Sequence, residues 1–441
     1  MRLIFFFFSI HYVVYLLGMF LLCFGKAPET SVKVFAAGEG GYTCIKIPYL
    51  LRTPSNILIA FAEGRGKIGK SSCDDFSGTD LVYKRSEDDG KTWSSLAVLF
   101  TNSSDTEINV IGNAAPVVDR FKNKGRIWVP FCRNNEEVFI TYSDDHGLSW
   151  STPTYHPHLV QPIWKWVGLG PPSGLQLTSG RMLIPSYHTN GWKGDGSASR
   201  GHTIISDDFG LTWRIGAADY GRPYLVNENQ AVELKNGSLL FNARTLFNHR
   251  VQLVSEDGGL TFDEPYEVDG LVEPLEGCEG SLIRDPVTDS LYFSDPFTHH
   301  LVRTNLTIFV SQDDGLRWQQ LRRVDRGSVA YSSLSVFPSP YVLDHSESYD
   351  STMKSVFVVD NKPLVPRTSV NSAFEFESES IDKEPVTVRT TIELAVADSE
   401  TVVGGAEGVR RGLEVLYERS DKVSLVFEPQ EIVYWKVHSF Q

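Results

Sequence analysis

The sequence is poor in several features on which whole classes of protein depend. Basic residues are in the minority, with 41 Lys and Arg against 55 Asp and Glu, which gives a formal net charge of −14. Such a charge repels polyanions in bulk, so nucleic acid is not expected as a partner, and an anionic substrate would need a local cluster of arginines. Helical periodicity is nearly absent, which argues against a helical fold.

Cysteine is scarce as well, with five in 441 residues. Beyond the N-terminal leader the cysteines are Cys44, Cys73, Cys132 and Cys278, without a CxxC pair or a histidine at the spacing of metal ligands. Their expected roles are core packing or one disulfide bridge. No metal site is predicted.

An internal repeat is the strongest feature that the sequence does contain. Five octamers share the pattern Ser-x-Asp-x-Gly-x-(Thr/Ser/Arg)-(Trp/Phe), at steps of roughly 50 to 60 residues. They begin at Ser86, Ser143, Ser206, Ser255 and Ser311. Each octamer follows a strand-like run, so each is expected to close an antiparallel hairpin.

The octamer has the chemistry of a turn. Its Gly supplies a left-handed position, and its Ser and Asp side chains can hydrogen-bond nearby backbone amides. The aspartates are therefore predicted to cap turns and not to act as catalytic acids: Asp88, Asp145, Asp208, Asp257 and Asp313. Repeats of this period predict an all-β fold, a six-bladed β-propeller of four-stranded antiparallel sheets, whose terminal blade is closed by residues 415–419 and 423–429.

The N-terminus reads as a targeting segment over residues 1–25. Arg2 precedes an almost unbroken apolar run that ends at Lys26. The run is long for a signal peptide and close to the length that spans a bilayer, so a cleaved signal and an anchor with membrane association through residues 3–24 both stay open. Either leads into the secretory pathway, to a secreted, lysosomal or membrane-anchored lumenal location. Entry there gives meaning to three glycosylation sequons, at Asn102, Asn236 and Asn305.

Further motifs occur in a fixed order: FAEGR, NENQAVEL followed by NAR, SDPFTHHLVR, AYSSL and a late LYE. With these motifs, the octamers and an Ile-Pro pair near the start, the chain resembles the exo-α-sialidases (neuraminidases) from Ala36 to Glu418. The resemblance implies a glycosidase that acts on sialylated glycans of glycoproteins and glycolipids, gangliosides included, without a cofactor. The propeller is expected over residues 30–441, with an insertion at 338–412.

A sialoside carries a carboxylate on its anomeric carbon, which calls for fixed cations, best supplied by arginines. The resemblance implies that Arg244 and Arg303 are the second and third arginines of the family's triad. Lys46 stands at the position of the first, where lysine keeps the charge but loses the two-pronged geometry. Glu418 matches the glutamate that orients the first cation, so an ion pair between Lys46 and Glu418 is expected.

The substrate carboxylate would repel a carboxylate nucleophile, so a phenol with a base beside it suits the chemistry better. The resemblance implies Tyr331 as the nucleophile and Glu228 as its base. It implies Asp75 as the acid/base group on a loop, with Asp74 and Asp80 as alternatives.

Supporting residues follow from the same matching. Arg65 matches the arginine near the acid/base loop, and Asn113 stands at a pocket position where the family has an aspartate. Three loop tryptophans could stack on further sugars or pack in the core: Trp164, Trp166 and Trp192. Two other functions stay open, a trans-sialidase and a catalytically weakened propeller that only binds sialoglycans, in which Lys46 would mark the loss of activity.

Overall fold

The computed structural model describes residues 30–67, 73–103, 107–123, 125–191, 199–336, 355–360 and 434–439. Within these ranges the fold is all-β, and the described strands form six small antiparallel sheets in a propeller-like arrangement. The described helical segments are two 3-10 turns, Glu39–Gly41 and Pro157–Leu159. None of the helices in the described ranges is long and apolar enough to cross a membrane.

Three sheets are four-stranded meanders, in which each strand pairs with the next along the chain. Sheet I consists of Cys44–Arg52, Leu58–Arg65, Thr79–Ser86 and Ala97–Phe100. Sheet IV consists of Asn229–Glu233, Leu239–Ala243, His249–Ser255 and Tyr266–Val272. Sheet V consists of Ser281–Arg284, Leu291–Pro296, Leu306–Ser311 and Gln319–Arg323.

Two sheets have five strands because their first strand is broken into two pieces that pair with the same second strand. The break in sheet II holds Asn113, with a φ of 51°, and the break in sheet III holds Gly170, with a φ of 69°. The prediction of four strands per sheet is therefore wrong for these two sheets. Sheet II consists of Ile111–Gly112, Val117–Val118, Ile127–Arg133, Glu137–Ser143 and Thr154–Tyr155. Sheet III consists of Trp166–Leu169, Leu175–Gln176, Met182–Thr189, Ser199–Ser206 and Arg214–Ile215.

Sheet VI joins strands from both ends of the described chain. Its order runs from Thr30–Ala36 through Tyr434–Ser439 and Ser355–Asp360 to Ser332–Val336. Antiparallel hydrogen bonds therefore connect the first strand to the last one. Strand Ser355–Asp360 falls within the range of the predicted insertion. Outside the described residues lie the rest of that range, the leader 1–25 and the segments 415–419 and 423–429.

All five octamers form turns between the last two strands of sheets I to V. In the first, Gly90 donates its N–H to Ser86 Oγ at 2.9 Å, and Asp88 accepts from the amide and the hydroxyl of Thr92 at 2.8 and 2.6 Å. The bonds from Thr92 lower the pKa of Asp88 to about 2. The Gly–Ser bond and the Asp–amide bond recur in the other four turns. The prediction that these aspartates are turn caps is confirmed.

The first strands of neighbouring sheets lie beside one another. Ser332–Val336 contacts Cys44–Arg52 on one side and Ser281–Arg284 on the other, and Ser281–Arg284 also contacts Asn229–Glu233. The second strands of sheets I to V each bury a large apolar side chain in the core: Phe61, Phe131, Ile184, Phe241 and Phe293. This packing brings the starts of several first strands to one place.

Candidate active site

Four of the predicted site residues lie at strand ends. Glu228 directly precedes strand Asn229–Glu233 of sheet IV, and Tyr331 directly precedes strand Ser332–Val336 of sheet VI. Arg65 ends the second strand of sheet I, and Arg244 directly follows the second strand of sheet IV. In an antiparallel pair, the start of one strand lies at the same edge as the end of the next. These residues line a pocket of about 300 Å³ together with Asp75.

One wall of the pocket is built around Tyr331. The Tyr331 wall comprises Tyr331, Glu228 and Arg244, which line the pocket, and Arg303, which lies beside the Tyr331 ring. The Tyr331 hydroxyl donates to Glu228 Oε1 and accepts from Arg244 Nη1 at 3.0 Å, and Arg244 Nη1 also donates to Glu228 Oε2 at 2.6 Å. Burial and the charge of Glu228 raise the pKa of the Tyr331 phenol well above its ordinary range, against the effect of the two arginines. The phenol therefore keeps its proton beside a carboxylate that can accept it.

One tight turn holds both arginines of this wall. Arg244 donates from Nε and Nη2 to the Glu276 carbonyl at 3.2 and 2.7 Å, and Arg303 donates from Nη2 to the Gly277 carbonyl at 2.7 Å. Glu276 and Gly277 are both left-handed, with φ of 68° and 69°. The Arg303 guanidinium also lies 5.6 Å from the centre of the Tyr331 ring. The turn thus keeps two cations beside the phenol.

Next to this wall lies a buried cluster of charges. Arg250 is 0% exposed and donates from Nη1 to Glu273 Oε1 at 2.7 Å. Glu279 accepts from the amide of Ser332, the residue that follows Tyr331, at 2.9 Å. Burial raises the pKa of Glu279 well above its ordinary range. A charged carboxylate at this position would be costly to bury, so the raised pKa favours the neutral acid.

A second wall carries Asp75; the Asp75 wall comprises Asp75, Arg65 and Glu63. Asp75 Oδ1 accepts from Arg65 Nη1 at 2.6 Å, and the Asp75 side chain is 73% exposed, against 5% for Arg65. Glu63 Oε2 accepts from Arg65 Nε and Nη2 at 3.0 and 2.5 Å, and Glu63 Oε1 accepts from the Asn113 amide at 2.9 Å. A chain of hydrogen bonds therefore connects sheet II to Asp75.

The two alternatives for the acid have other partners. Asp74 Oδ1 accepts from the Phe76 amide at 2.9 Å, which makes Asp74 the cap of a turn. Asp80 is buried and accepts from the Tyr42 hydroxyl at 2.7 Å. Among the three candidates, Asp75 is the one that lines the pocket.

Lys46 and Arg303, two of the cations predicted to bind the substrate carboxylate, are not among the described side chains that line the pocket. Lys46 Nζ donates to the Cys73 carbonyl at 2.7 Å, two residues before Asp75. The partner predicted for Lys46, Glu418, lies outside the described residues, so the ion pair between them stays a prediction. Asn113 does line the pocket, as predicted, from the break in the first strand of sheet II.

Glu63 and Tyr187 are among the pocket residues that the sequence analysis did not identify. Glu63 holds Arg65 and stands two positions before it, so the period of a strand places both on one face, a signal that could have identified Glu63. The hydroxyl of Tyr187, on the second strand of sheet III, accepts from Trp166 Nε1 at 3.2 Å, and both residues line the pocket. No sequence signal marks Tyr187.

The cysteines follow the prediction of packing or one bridge. Cys44 and Cys73 form a disulfide, while Cys132 and Cys278 are free and buried. Within the described ranges, no group of three or more His, Cys, Asp or Glu side chains is arranged to hold a metal ion.

The predicted tryptophans divide between the pocket and the core. Trp166 lines the pocket, whereas Trp164 is buried and stacks on His188 with ring centres 4.1 Å apart. Trp192 lies outside the described residues.

The chain is similar to proteins named as sialidases. The sialidase of Micromonospora viridifaciens is 28% identical over 348 residues, which cover 71% of this chain and 51% of that protein. Mouse Sialidase-3 is 28% identical over 287 residues, which cover 57% of this chain and 65% of that protein. The solved structure of the Hadza microbial sialidase Hz136 is 25% identical, with a TM-score of 0.62, over 75% of this chain and 66% of that one.

The chain thus spans about half to two thirds of the length of these curated relatives. Residues 58–343 match the family profile of the BNR repeat-like domain. That range contains all but the first strand of sheet I, the whole of sheets II to V, and the Tyr331 wall. The chain belongs to the family of BNR repeat-like domains, and the relatives to which it is similar are named sialidases.

Proposed function

We propose that the protein is a retaining exo-α-sialidase, which releases terminal sialic acid from glycoproteins, glycolipids or oligosaccharides. The observation that carries the proposal is the hydrogen-bonded group of Tyr331, Glu228 and Arg244 in a pocket that also holds Asp75. A phenol whose oxygen contacts both a base and a cation can form a covalent glycosyl intermediate.

The reaction proceeds in two steps. In the first, the Tyr331 oxygen bonds to the anomeric carbon and passes its proton to Glu228, while the bond to the leaving oxygen breaks and that oxygen takes a proton from Asp75. In the second, water attacks the anomeric carbon and gives a proton to Asp75, and the Tyr331 oxygen leaves and recovers its proton from Glu228. Two inversions at one carbon retain its configuration.

Arg244 and Arg303 bind the substrate carboxylate in this proposal. Both are held by the turn at Glu276 and Gly277, so little reorganisation is needed on binding. Lys46 is the third cation. Its ammonium has three N–H donors, so it can donate to the Cys73 carbonyl and still attract an anion. Arg65 and Asn113 complete the pocket, and Glu418 is proposed to orient Lys46.

The wider organisation is proposed on the same footing. Six sheets, five of them with an Asp-containing turn of the repeat, support a six-bladed propeller over residues 30–441 with an insertion within 338–412. The disulfide between Cys44 and Cys73 supports passage through the oxidising secretory pathway, with residues 1–25 as signal or anchor.

Incubation of the purified protein with sialyllactose tests the proposal. We expect free sialic acid, whose first-formed anomer, followed by NMR, keeps the α configuration of the substrate. Labelled lactose added in excess separates hydrolysis from transfer, because a trans-sialidase would place sialic acid on the label. A protein that binds sialyllactose and releases nothing from acidic to neutral pH would contradict the enzymatic proposal and favour a binding propeller.

A further inference from the structure

Two neighbouring strands of sheet I place four side chains on one face. The register pairs Cys44 with Arg65 and Lys46 with Glu63. Side chains directly opposite in antiparallel strands, and those two positions apart along a strand, point to the same side of a sheet. Cys44, Lys46, Glu63 and Arg65 therefore form a two-by-two group, which we call the sheet I patch.

The residues Cys73 and Asp75 are fastened to three members of this patch. Cys73 is disulfide-bonded to Cys44, and its carbonyl oxygen accepts from Lys46 Nζ at 2.7 Å and from Arg65 Nη1 at 3.4 Å. Arg65 Nη1 also donates to Asp75 Oδ1 at 2.6 Å. Most of these attachments converge on Cys73, two residues before the proposed acid.

On its other side, the segment of Asp75 continues into a turn in which Ser77 Oγ donates to the Asp74 carbonyl at 2.9 Å. The Phe76 side chain is 59% exposed, and its ring meets the edge of the Trp166 ring with centres 6.3 Å apart. Because the side chain of Asp75 is itself 73% exposed, burial of Asp75 does little to fix its position. The place of the carboxylate in the pocket therefore depends both on its bond to Arg65 and on the attachment of Cys73 to the sheet I patch.

We propose that Lys46 and the Cys44–Cys73 disulfide are positioning elements for Asp75, the acid/base group of the proposed function, on which this inference rests. The disulfide joins residues 29 positions apart and limits the freedom of the segment that carries Asp75. Lysine suits this positioning role because its flexible side chain ends in a compact ammonium group that can reach a carbonyl oxygen. The replacement of the family's first arginine by Lys46 thus couples the cation site to the acid/base segment.

Two substrates with different leaving groups test this role in the whole chain. The leaving group of sialyllactose is a sugar hydroxyl, which needs a proton from the acid. The leaving group of 4-methylumbelliferyl sialoside is an acidic phenol, which needs little protonation. Lys46→Met, and separately the double change Cys44→Ala with Cys73→Ala, should lower the ratio of kcat/KM for sialyllactose to kcat/KM for the aryl sialoside by about tenfold to a hundredfold. Weaker carboxylate binding lowers both values alike and cancels in their ratio.

Lys84→Met is the matched control. Lys84 is a buried lysine of the same sheet, and its Nζ donates to the Val34 carbonyl at 2.7 Å. The substitution removes this bond and an ion pair with Glu39, and neither contacts Asp75. It should leave the ratio of the two kcat/KM values unchanged. If the cysteine variant fails to fold, as thermal melting will show, Lys46→Met carries the test alone.

The outcomes separate this inference from the proposed function. Equal losses with both substrates in the Lys46 variant would overturn the positioning role and leave the proposed function intact. A wild-type protein inactive on both substrates would overturn the proposed function, and the positioning role with it.

Discussion

The two walls of the pocket place their reactive groups in opposite surroundings. On the Tyr331 wall, Tyr331 is 9% and Glu228 5% exposed, and each directly precedes a strand that packs against strands of neighbouring sheets. On the Asp75 wall, the side chain of Asp75 is 73% exposed, and its segment is attached through Cys73. The difference teaches that the core of the fold fixes the proposed nucleophile, whereas local attachments fix the proposed acid. Substitutions that strain the Tyr331 wall should lower both stability and activity, whereas substitutions on the Asp75 wall should lower activity alone.

The largest effect is expected from Tyr331→Phe. The substitution removes the oxygen that would bond to the anomeric carbon and leaves the buried ring in place, so hydrolysis of the aryl sialoside should fall by about a thousandfold or more. The melting temperature should change little. Tyr187→Phe, the other phenol of the pocket, is the control and should keep most of the activity. A Tyr331→Phe protein within tenfold of the wild-type rate would remove the basis of the comparison.

Backbone strain on the Tyr331 wall should produce the next largest effect. A Cβ added at Gly277, where φ is 69°, would lie 2.4 Å from the Thr245 carbonyl oxygen and 2.7 Å from Arg244 Cγ. Gly237, with a φ of 88°, would meet nothing within 4 Å, so it carries the left-handed penalty alone. Gly277→Ala should lower the free energy of unfolding by about 3 kcal/mol or more, against about 1 kcal/mol for Gly237→Ala, as measured by chemical denaturation.

Activity should follow the same order, because the turn at Gly277 holds the two arginines of the wall. Equal losses of stability in the two alanine variants would mean that the turn adjusts without strain. The Tyr331 wall would then be less rigid than its burial suggests.

On the Asp75 wall, Asp75→Asn should affect chemistry without affecting stability. Asparagine cannot donate the proton, so kcat/KM for sialyllactose should fall by about a hundredfold, while that for the aryl sialoside falls only a few-fold. The free energy of unfolding should stay within about 0.5 kcal/mol of wild type, because the side chain is exposed. A large loss of stability would show that this carboxylate supports the fold, and the contrast between the walls would disappear.

The sequence predicts best what depends on local chemistry. The five turns follow from Ser, Asp and Gly at fixed spacing, and the motifs that contain Arg244, Glu228 and Tyr331 stand beside strands whose ends meet at the pocket. Contacts between sheets are not encoded in this way: the bond from the Asn113 amide to Glu63 depends on which sheets are neighbours and on a left-handed residue that breaks a strand.

The pairing of Cys44 with Cys73 shows the same limit. Four cysteines allow several pairings, and the register between the first two strands of sheet I, together with the path of the chain to Cys73, decides among them. Tyr187 enters the pocket because of the position of sheet III, which no local pattern contains.

The smallest effect is expected in the pH dependence of stability. It concerns strand Met182–Thr189, which contributes Tyr187 to the pocket and buries His188. His188 is 1% exposed, stacks on Trp164, and has its Nδ1 3.3 Å from His202 Nδ1. Burial lowers the pKa of His188 to about 4 from an ordinary value of 6.5; Arg200 acts in the same direction and Asp219 against it.

Because the folded pKa of His188 is the lower one, the unfolded chain binds this proton first. The stability due to the neutral ring is complete above about pH 6.5 and is lost as the pH falls towards about 4. Between about pH 7.5 and about pH 5.5 the protein should lose about 1 kcal/mol of unfolding free energy through this ring. Urea unfolding at the two pH values measures the loss, which His188→Gln should reduce and the surface control His300→Gln should not. An unchanged pH dependence in His188→Gln would assign the loss to other groups. Strand Met182–Thr189, which carries His188, would then be no more sensitive to acid than the exposed segment of Asp75.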